Sequence, residues 1–87
     1  MNLHVSVTPD HIRHGKRSEE CACPIALALL AAGAAWVEVL RVEARIVLSG
    51  KRWEADLPDV AVRFVRAFDR GESVDGFECE LEFTVAM

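Results

Sequence analysis

The chain has 87 residues, of which 52% are hydrophobic and 28% are charged, a composition that excludes a disordered chain and predicts one domain with a modest core. Its formal net charge is −4, which argues against general DNA or RNA binding, because nucleic-acid binders usually neutralise phosphates with an excess of basic residues. The sequence shows no secretory signal, no membrane-spanning apolar run and no disulfide pattern among its three cysteines. We therefore expect a single domain over residues 1–87 that works in the cytoplasm, without contact to a membrane.

The N-terminal residues predict a strand and then a single helical turn. Apolar and polar residues alternate from Asn2 to Val7, which is typical of a half-buried strand. Thr8 has the side chain of a helix N-cap, and Pro9 suits the first helical position. Gly15 is expected to end this short helix.

A longer helix is predicted after a polar connection. Pro24 again suits a first helical position, with Cys23 or a neighbour as its cap, and Gly33 marks the end. The residues from Ile25 to Ala32 are apolar on every side, and such a helix is usually buried on more than one side. We expect a sheet below this helix and either the preceding loop or another subunit above it.

The middle of the chain predicts a hairpin. Apolar residues alternate from Trp36 to Leu48, but their phase shifts by one residue near Val39-Leu40, which indicates a bulge or a short loop there. Ser49-Gly50 is a turn signal, and the alternation from Arg52 to Leu57 completes the hairpin.

A second long helix, which is amphipathic, and a last strand close the chain. The helix is expected to open at Asp56–Asp59, to end at Gly71 and to place Ala61, Phe64, Val65 and Phe68 on its buried face. In the last strand, alternate residues from Phe77 to Val85 are expected to face the core.

These elements give an α+β fold with the order β-α-β-β-α-β. This is the ferredoxin-like order, a two-layer sandwich with two helices on one face of an antiparallel sheet. A plain meander with the helices arranged differently is the alternative.

The densest group of basic side chains lies between His11 and Arg17, just before the helix that starts at Pro24. Helix N-termini bind anions through free N–H groups, and basic side chains add charge-assisted hydrogen bonds. The pattern therefore indicates a phosphate or nucleotide site, although a solvated loop paired with Glu19 and Glu20 explains the same residues. The candidate ligand-binding residues are His11, Arg13, His14, Lys16, Arg17, Ser18 and Cys23.

Two other chemistries of the same region are weaker. His11, His14, Cys21 and Cys23 have zinc-ligand types, but their spacing matches no standard zinc motif. Cys23 at a helix N-terminus resembles an activated thiol, yet no orienting residue accompanies it. No metal, no cofactor and no catalytic residue are expected.

Glu78, Glu80 and Glu82 form an acidic column on the solvent side of the last strand. It is either a solvated surface or a face that docks on the basic surface of a partner protein.

Several short pieces resemble small uncharacterised proteins encoded by bacteriophages and by actinobacterial genomes. They are Thr8-x-x-His11-Ile12-x-x-Gly15, Cys23-Pro24-Ile25-Ala26-Leu27-Ala28, and the stretch from Leu57-Pro58 through Phe64-Val65 to Gly71. The resemblance implies a phage accessory protein in a bacterial cytoplasm, and it carries no activity over to any residue.

The expected function is that of a non-enzymatic binder that antagonises host antiviral defence by sequestering an anionic nucleotide signal. A homo-oligomer is expected as well, from the small size and the all-apolar helix. The alternatives are an inhibitor that binds a host defence or regulatory protein through the acidic column, and an enzyme centred on Cys23.

Overall fold

The structure is a computed structural model that describes residues 1–86. Three helices and six strands follow one another as β1 (Asn2–Val7), α1 (Pro9–His14), α2 (Pro24–Ala31), β2 (Trp36–Val39), β3 (Glu43–Leu48), β4 (Lys51–Asp56), α3 (Asp59–Asp69), β5 (Phe77–Glu82) and β6 (Thr84–Val85). All strand pairs are antiparallel. The predicted α+β class and antiparallel pairing are confirmed.

The strands form two sheets that are joined through the C-terminal segment. One sheet pairs β1 with β5, and the other has the order β2-β3-β4-β6. Only Phe83 separates β5 from β6, and its N–H donates to the Met1 carbonyl at 2.7 Å. The Met1 amino group donates in return to the Phe83 carbonyl at 2.8 Å. The segment from β5 to β6 therefore pairs with β1 through β5 and with β4 through β6.

The prediction of a single strand from Trp36 to Leu48 is wrong. β2 and β3 are two antiparallel strands in which Val37 lies opposite Ile46. The short-loop alternative is right, and the loop at residues 40–42 reverses the chain, with the Leu40 N–H donating to the Glu43 carbonyl at 2.8 Å. Residues 1–86 consequently contain two strands more than the β-α-β-β-α-β order, because the chain also breaks at Phe83 between β5 and β6, and the ferredoxin-like arrangement is not confirmed.

The caps of α2 follow the sequence prediction. Cys23 is the N-cap, and its Sγ accepts a hydrogen bond from the Ala26 N–H at 3.5 Å, while Pro24 is the first helical residue. Gly33 follows the helix with φ +115, a conformation that a side chain disfavours. The helix is buried along most of its length, and it packs against β1, β2 and α1. α1 is therefore one of the elements that cover α2.

The buried side chains form one cluster between the sheet and the helices. α3 contributes Ala61, Phe64 and Phe68, and the ring of Phe64 lies 4.8 Å from that of Phe77. Val85 was expected in the core but is 51% exposed, because it lies in the last residue pair of the two-residue strand β6.

The sheet surface away from the helices stays open to solvent. Glu78, Glu80 and Glu82 alternate with partly or fully buried residues along β5, and their partners on β1 are exposed polar residues. In residues 1–86, none of the helices has the length and apolar character needed to cross a lipid bilayer.

Candidate functional site

The first half of the predicted basic loop serves the local structure. His11 lies in α1, where its Nδ1 accepts the Thr8 N–H at 3.1 Å and its own N–H donates to the Thr8 hydroxyl at 3.3 Å. This reciprocal pair is a capping box. Arg13 pairs with Asp10, and His14 hydrogen-bonds through Nδ1 to the Asp10 carbonyl at 2.9 Å. These three side chains therefore stabilise α1 in the structure.

The second half of the loop is fixed on two other elements. The Ser18 N–H donates to Oδ1 of Asp69 on α3 at 2.9 Å, with Ser18 at φ +55. The Glu20 carbonyl accepts the Val39 N–H of β2 at 2.8 Å. These two bonds hold residues 15–22 between α3 and the edge of the sheet.

Cys23 occupies a buried position with a structural role. The side chain is 6% exposed, and burial raises the pKa of its thiol. Catalytic cysteines have lowered pKa values and reachable sulfur atoms, so this environment favours the thiol over the reactive thiolate. Pro24, Ile25 and Ala26 are buried as well, so the first turn of α2 lies against protein.

A cleft with three arginines lies where the loop meets α3 and the β2–β3 turn. We call this cleft, of about 360 Å³, the arginine cleft; it is lined by Ser18, Arg41, Val65, Arg66, Asp69 and Arg70. Arg70 is paired with Glu72 at 2.7 Å. Within residues 1–86, neither Arg41 nor Arg66 has a carboxylate oxygen within 4 Å. Two guanidinium groups are thus available to a ligand.

Two further residues of the predicted site lie near this cleft. Cys23 lines an adjoining cleft of about 560 Å³ that shares four residues with the first, namely Ser18, Arg41, Val65 and Asp69. The Arg17 guanidinium lies against Gly71, where an added Cβ would come within 3.1 Å of it. Lys16 is exposed and donates its backbone N–H to the Ala22 carbonyl at 2.9 Å.

The arginines of the cleft were not among the predicted site residues. Arg41 lies in the loop between β2 and β3, while Arg66 and Arg70 lie at the C-terminal end of α3. Their i, i+4 spacing on a helix was visible in the sequence. Their position beside Ser18 was not visible in the sequence, because it depends on the turn that reverses the chain between β2 and β3.

The structure groups no metal ligands. Among the described residues 1–86, no set of three or more His, Cys, Asp or Glu side chains is arranged to hold a metal ion.

A second candidate surface is the open side of the two sheets, where exposed carboxylates of β4 and β5 lie. We call it the acidic face; its residues are Glu54, Asp56, Glu78, Glu80 and Glu82. Glu54, Asp56 and Glu82 line a shallow cavity of about 330 Å³. The predicted acidic column therefore extends across to β4.

His4 of β1 binds two carboxylates of the acidic face. Its Nε2 lies 2.8 Å from Glu78 Oε1, and its Nδ1 lies 2.8 Å from Glu80 Oε1. Carboxylates only accept hydrogen bonds, so this geometry suits the doubly protonated ring. The hydrogen bonds to Glu78 and then Glu80 raise the pKa of His4.

Comparison with known proteins returns no match. No family model, no curated protein and no solved structure is significantly similar to this chain. The functional argument therefore depends on the geometry of the arginine cleft and of the acidic face.

Proposed function

We propose that this protein is a non-enzymatic binder that sequesters an anionic nucleotide signal in the arginine cleft. The observation that carries the proposal is the pair of guanidinium groups of Arg41 and Arg66, which line the cleft together with Ser18 and have no carboxylate partner in the described chain. Arginine binds phosphate through two parallel N–H groups, and such charge-assisted bonds are among the stronger polar interactions in proteins.

Further features of the cleft support an anionic ligand. The Arg17 guanidinium lies nearby against Gly71, and Lys16 belongs to the same exposed connection. The carboxylate of Asp69 is engaged by the Ser18 N–H, which offsets part of its repulsion of an anion. A cleft of about 360 Å³ lies at the lower end of the range for small-molecule sites.

The resemblance to small phage and actinobacterial proteins supplies the cellular context of the proposal. In that context the protein acts in a bacterial cytoplasm and withholds a nucleotide signal from host antiviral defence. Binding alone accounts for this activity, so no catalytic group or cofactor is required.

Isothermal titration against cyclic and ADP-ribose-type nucleotides tests the proposal. We expect binding by the wild type and a loss of about tenfold or more in affinity for each of Arg41→Ala and Arg66→Ala, since a hydrogen bond to a charged group contributes about 1.5–3 kcal/mol. Arg63→Ala is the matched control, because Arg63 is exposed on the same helix but does not line the cleft. Absence of binding across the panel contradicts the proposal. An equal loss of nucleotide affinity in Arg63→Ala contradicts the placement of the binding site in the arginine cleft.

The acidic face supports a second candidate, an inhibitor that docks on the basic surface of a host defence protein. The favouring observation is that Glu54, Asp56 and Glu82 are exposed together around one cavity of an uncovered sheet. A facing basic surface would be steered and oriented by this charge.

A lysine-rich peptide followed by NMR shift mapping tests the second candidate. We expect shifts confined to β4, β5 and β1, which disappear in the double charge reversal Glu54→Lys/Glu82→Lys while the fold is kept. Reversal at the arginine cleft, in Arg41→Glu, should leave peptide binding intact. If it abolishes binding instead, the acidic face is not the docking surface.

A further inference from the structure

The cleft that adjoins the arginine cleft has a different chemistry. It measures about 560 Å³ and shares four lining residues with the arginine cleft. Arg66 and Arg70 line only the arginine cleft, whereas three glutamates and several apolar residues line only the adjoining cleft. We call the adjoining cleft the glutamate cleft; its own residues include Glu19, Glu20, Leu40, Val42 and Glu43. The two clefts together therefore present guanidinium groups at one end and carboxylates at the other.

Backbone hydrogen bonds fix the segments that form the glutamate cleft. The connection before α2 is held to β2, because the Glu20 carbonyl accepts the Val39 N–H at 2.8 Å. The loop between β2 and β3 is held as well, because the Val42 carbonyl accepts the Leu57 N–H at 2.8 Å. A cleft that is formed before its ligand arrives lowers the entropic cost of binding.

Two of the three carboxylates are free to accept hydrogen bonds from a ligand. Glu43 pairs with Arg45 at 2.9 Å. Within residues 1–86, no Lys, Arg or His nitrogen lies within 4 Å of the carboxylates of Glu19 and Glu20. A carboxylate only accepts hydrogen bonds, so these two side chains attract N–H and O–H donors.

Apolar surface lies in the same cleft as these carboxylates. Val42 is 58% exposed, more than any other large hydrophobic residue in residues 1–86, and Leu40 is half-buried. A planar ring that lies against these side chains removes apolar area from water. The glutamate cleft thus suits an aromatic ring that has hydrogen-bond donors on its edge.

We infer that the ligand is a guanine nucleotide, with its phosphate in the arginine cleft and its base in the glutamate cleft. This inference rests on the proposed function, because the same arginines bind the phosphate. Guanine has two adjacent donors on its Watson–Crick edge, N1–H and the 2-amino group, and these match the two oxygens of a carboxylate. Adenine has an acceptor nitrogen at the corresponding ring position, and a carboxylate repels that acceptor.

Isothermal titration with cyclic GMP, cyclic IMP and cyclic AMP tests the identity of the base. Cyclic IMP differs from cyclic GMP only by lacking the 2-amino group, so this pair of ligands isolates one donor. We expect cyclic GMP to bind about tenfold more tightly than each of the other two, because hydrogen bonds to a charged group are stronger than neutral ones.

The double variant Glu19→Gln/Glu20→Gln tests the position of the base. We expect the preference for cyclic GMP to disappear, while the affinity for cyclic AMP does not fall. Glu54→Gln/Glu82→Gln is the matched control, because it removes the same number of charges from exposed residues that line neither cleft. It should keep the preference.

The possible failures separate this inference from the proposed function. Equal affinities for the three ligands, each lost in Arg41→Ala, overturn the guanine assignment and leave the arginine cleft as a nucleotide site. Absence of binding by every nucleotide overturns both. A preference that persists in the double variant overturns the placement of the base. Circular dichroism checks that the variant folds; should it not fold, Glu19→Gln and Glu20→Gln decide separately, and an unchanged preference in both overturns the placement.

Discussion

The hydrogen bonds of His4 make the interaction between β1 and β5 depend on pH. It lies directly opposite Glu80 in the pairing of β1 with β5, and its ring reaches Glu78 on the same side of the sheet. The site is exposed, so salt screens the attraction, while the two hydrogen bonds at 2.8 Å keep their geometry. Protonation of one ring thus adjusts the charge of the acidic face.

We predict that the pKa of His4 lies above its usual 6.5 and that Glu78→Gln lowers it more than Glu80→Gln does. A raised folded-state pKa means that the added stability is complete below pH 6.5 and disappears as the pH rises through the folded-state pKa. NMR titration of the ring protons measures the effect. Glu82→Gln is the control, since Glu82 does not contact His4, and a pKa of His4 below 6.5 would refute the pairing.

Gly15 is required by close packing at the end of α1. An added Cβ would lie 2.6 Å from the Cδ of Pro24 and 2.8 Å from its backbone nitrogen. We predict that Gly15→Ala lowers the free energy of unfolding by about 1–3 kcal/mol, because overpacking forces backbone shifts. Urea denaturation measures the change. Lys16→Ala, at the exposed neighbour, should stay within about 0.5 kcal/mol, and an equal loss there would contradict the packing explanation.

At the scale of elements, the turn between β3 and β4 is set by backbone conformation. Ser49 has φ +54 and Gly50 has φ +74, as in the turns that match the twist of a hairpin. Asparagine adopts this left-handed region more readily than serine. The sequence signal Ser49-Gly50 was sufficient to predict the turn.

We predict that Ser49→Asn raises the free energy of unfolding by about 0.5–1 kcal/mol. Thermal unfolding followed by circular dichroism measures the gain. Ser73→Asn provides the comparison, because Ser73 is exposed and does not have a positive φ. If both variants gain equally, the left-handed conformation of Ser49 is not the cause.

The elements that the sequence predicted carry their own local signals. The cap at Cys23, the stop at Gly33 and the Ser49-Gly50 turn were all readable within a few residues. The turn at residues 40–42 has the sequence Leu-Arg-Val, with no glycine, proline or asparagine. It depends on a distant contact, the Leu57 N–H donating to the Val42 carbonyl at 2.8 Å, and local sequence does not reveal such a contact.

The candidate site was predictable only in part, for the same reason. Ser18 and Cys23 were named from the sequence and line the clefts. His11 was named too, but it serves the capping box of α1. Arg41 and Arg66 come from other elements, and only the packing of α3 against the β2–β3 turn region brings them to the connection.

On the scale of the whole molecule, charge is unevenly distributed over a chain of net charge −4. Carboxylates of β4 and β5 lie on the acidic face, and three guanidinium groups line the arginine cleft. Each surface therefore suits a different kind of partner, and the net charge of the whole chain does not describe the electrostatic potential at each surface.

We predict that salt weakens nucleotide binding at the arginine cleft. The affinity should fall as sodium chloride rises, because exposed ion pairs are screened. Isothermal titration at low and high salt measures the change, and an affinity that does not depend on salt would contradict binding through the guanidinium groups.

The hydrogen bond from the Val39 N–H to the Glu20 carbonyl also bears on aggregation. A fully open edge strand can recruit neighbour after neighbour and is a hazard for amyloid-like growth. Here the chain's own connection occupies one end of β2, and Val37 is only 2% exposed, so little of this edge is open to a second strand. The connection at residues 15–22 therefore protects β2 against the strand addition that seeds fibres.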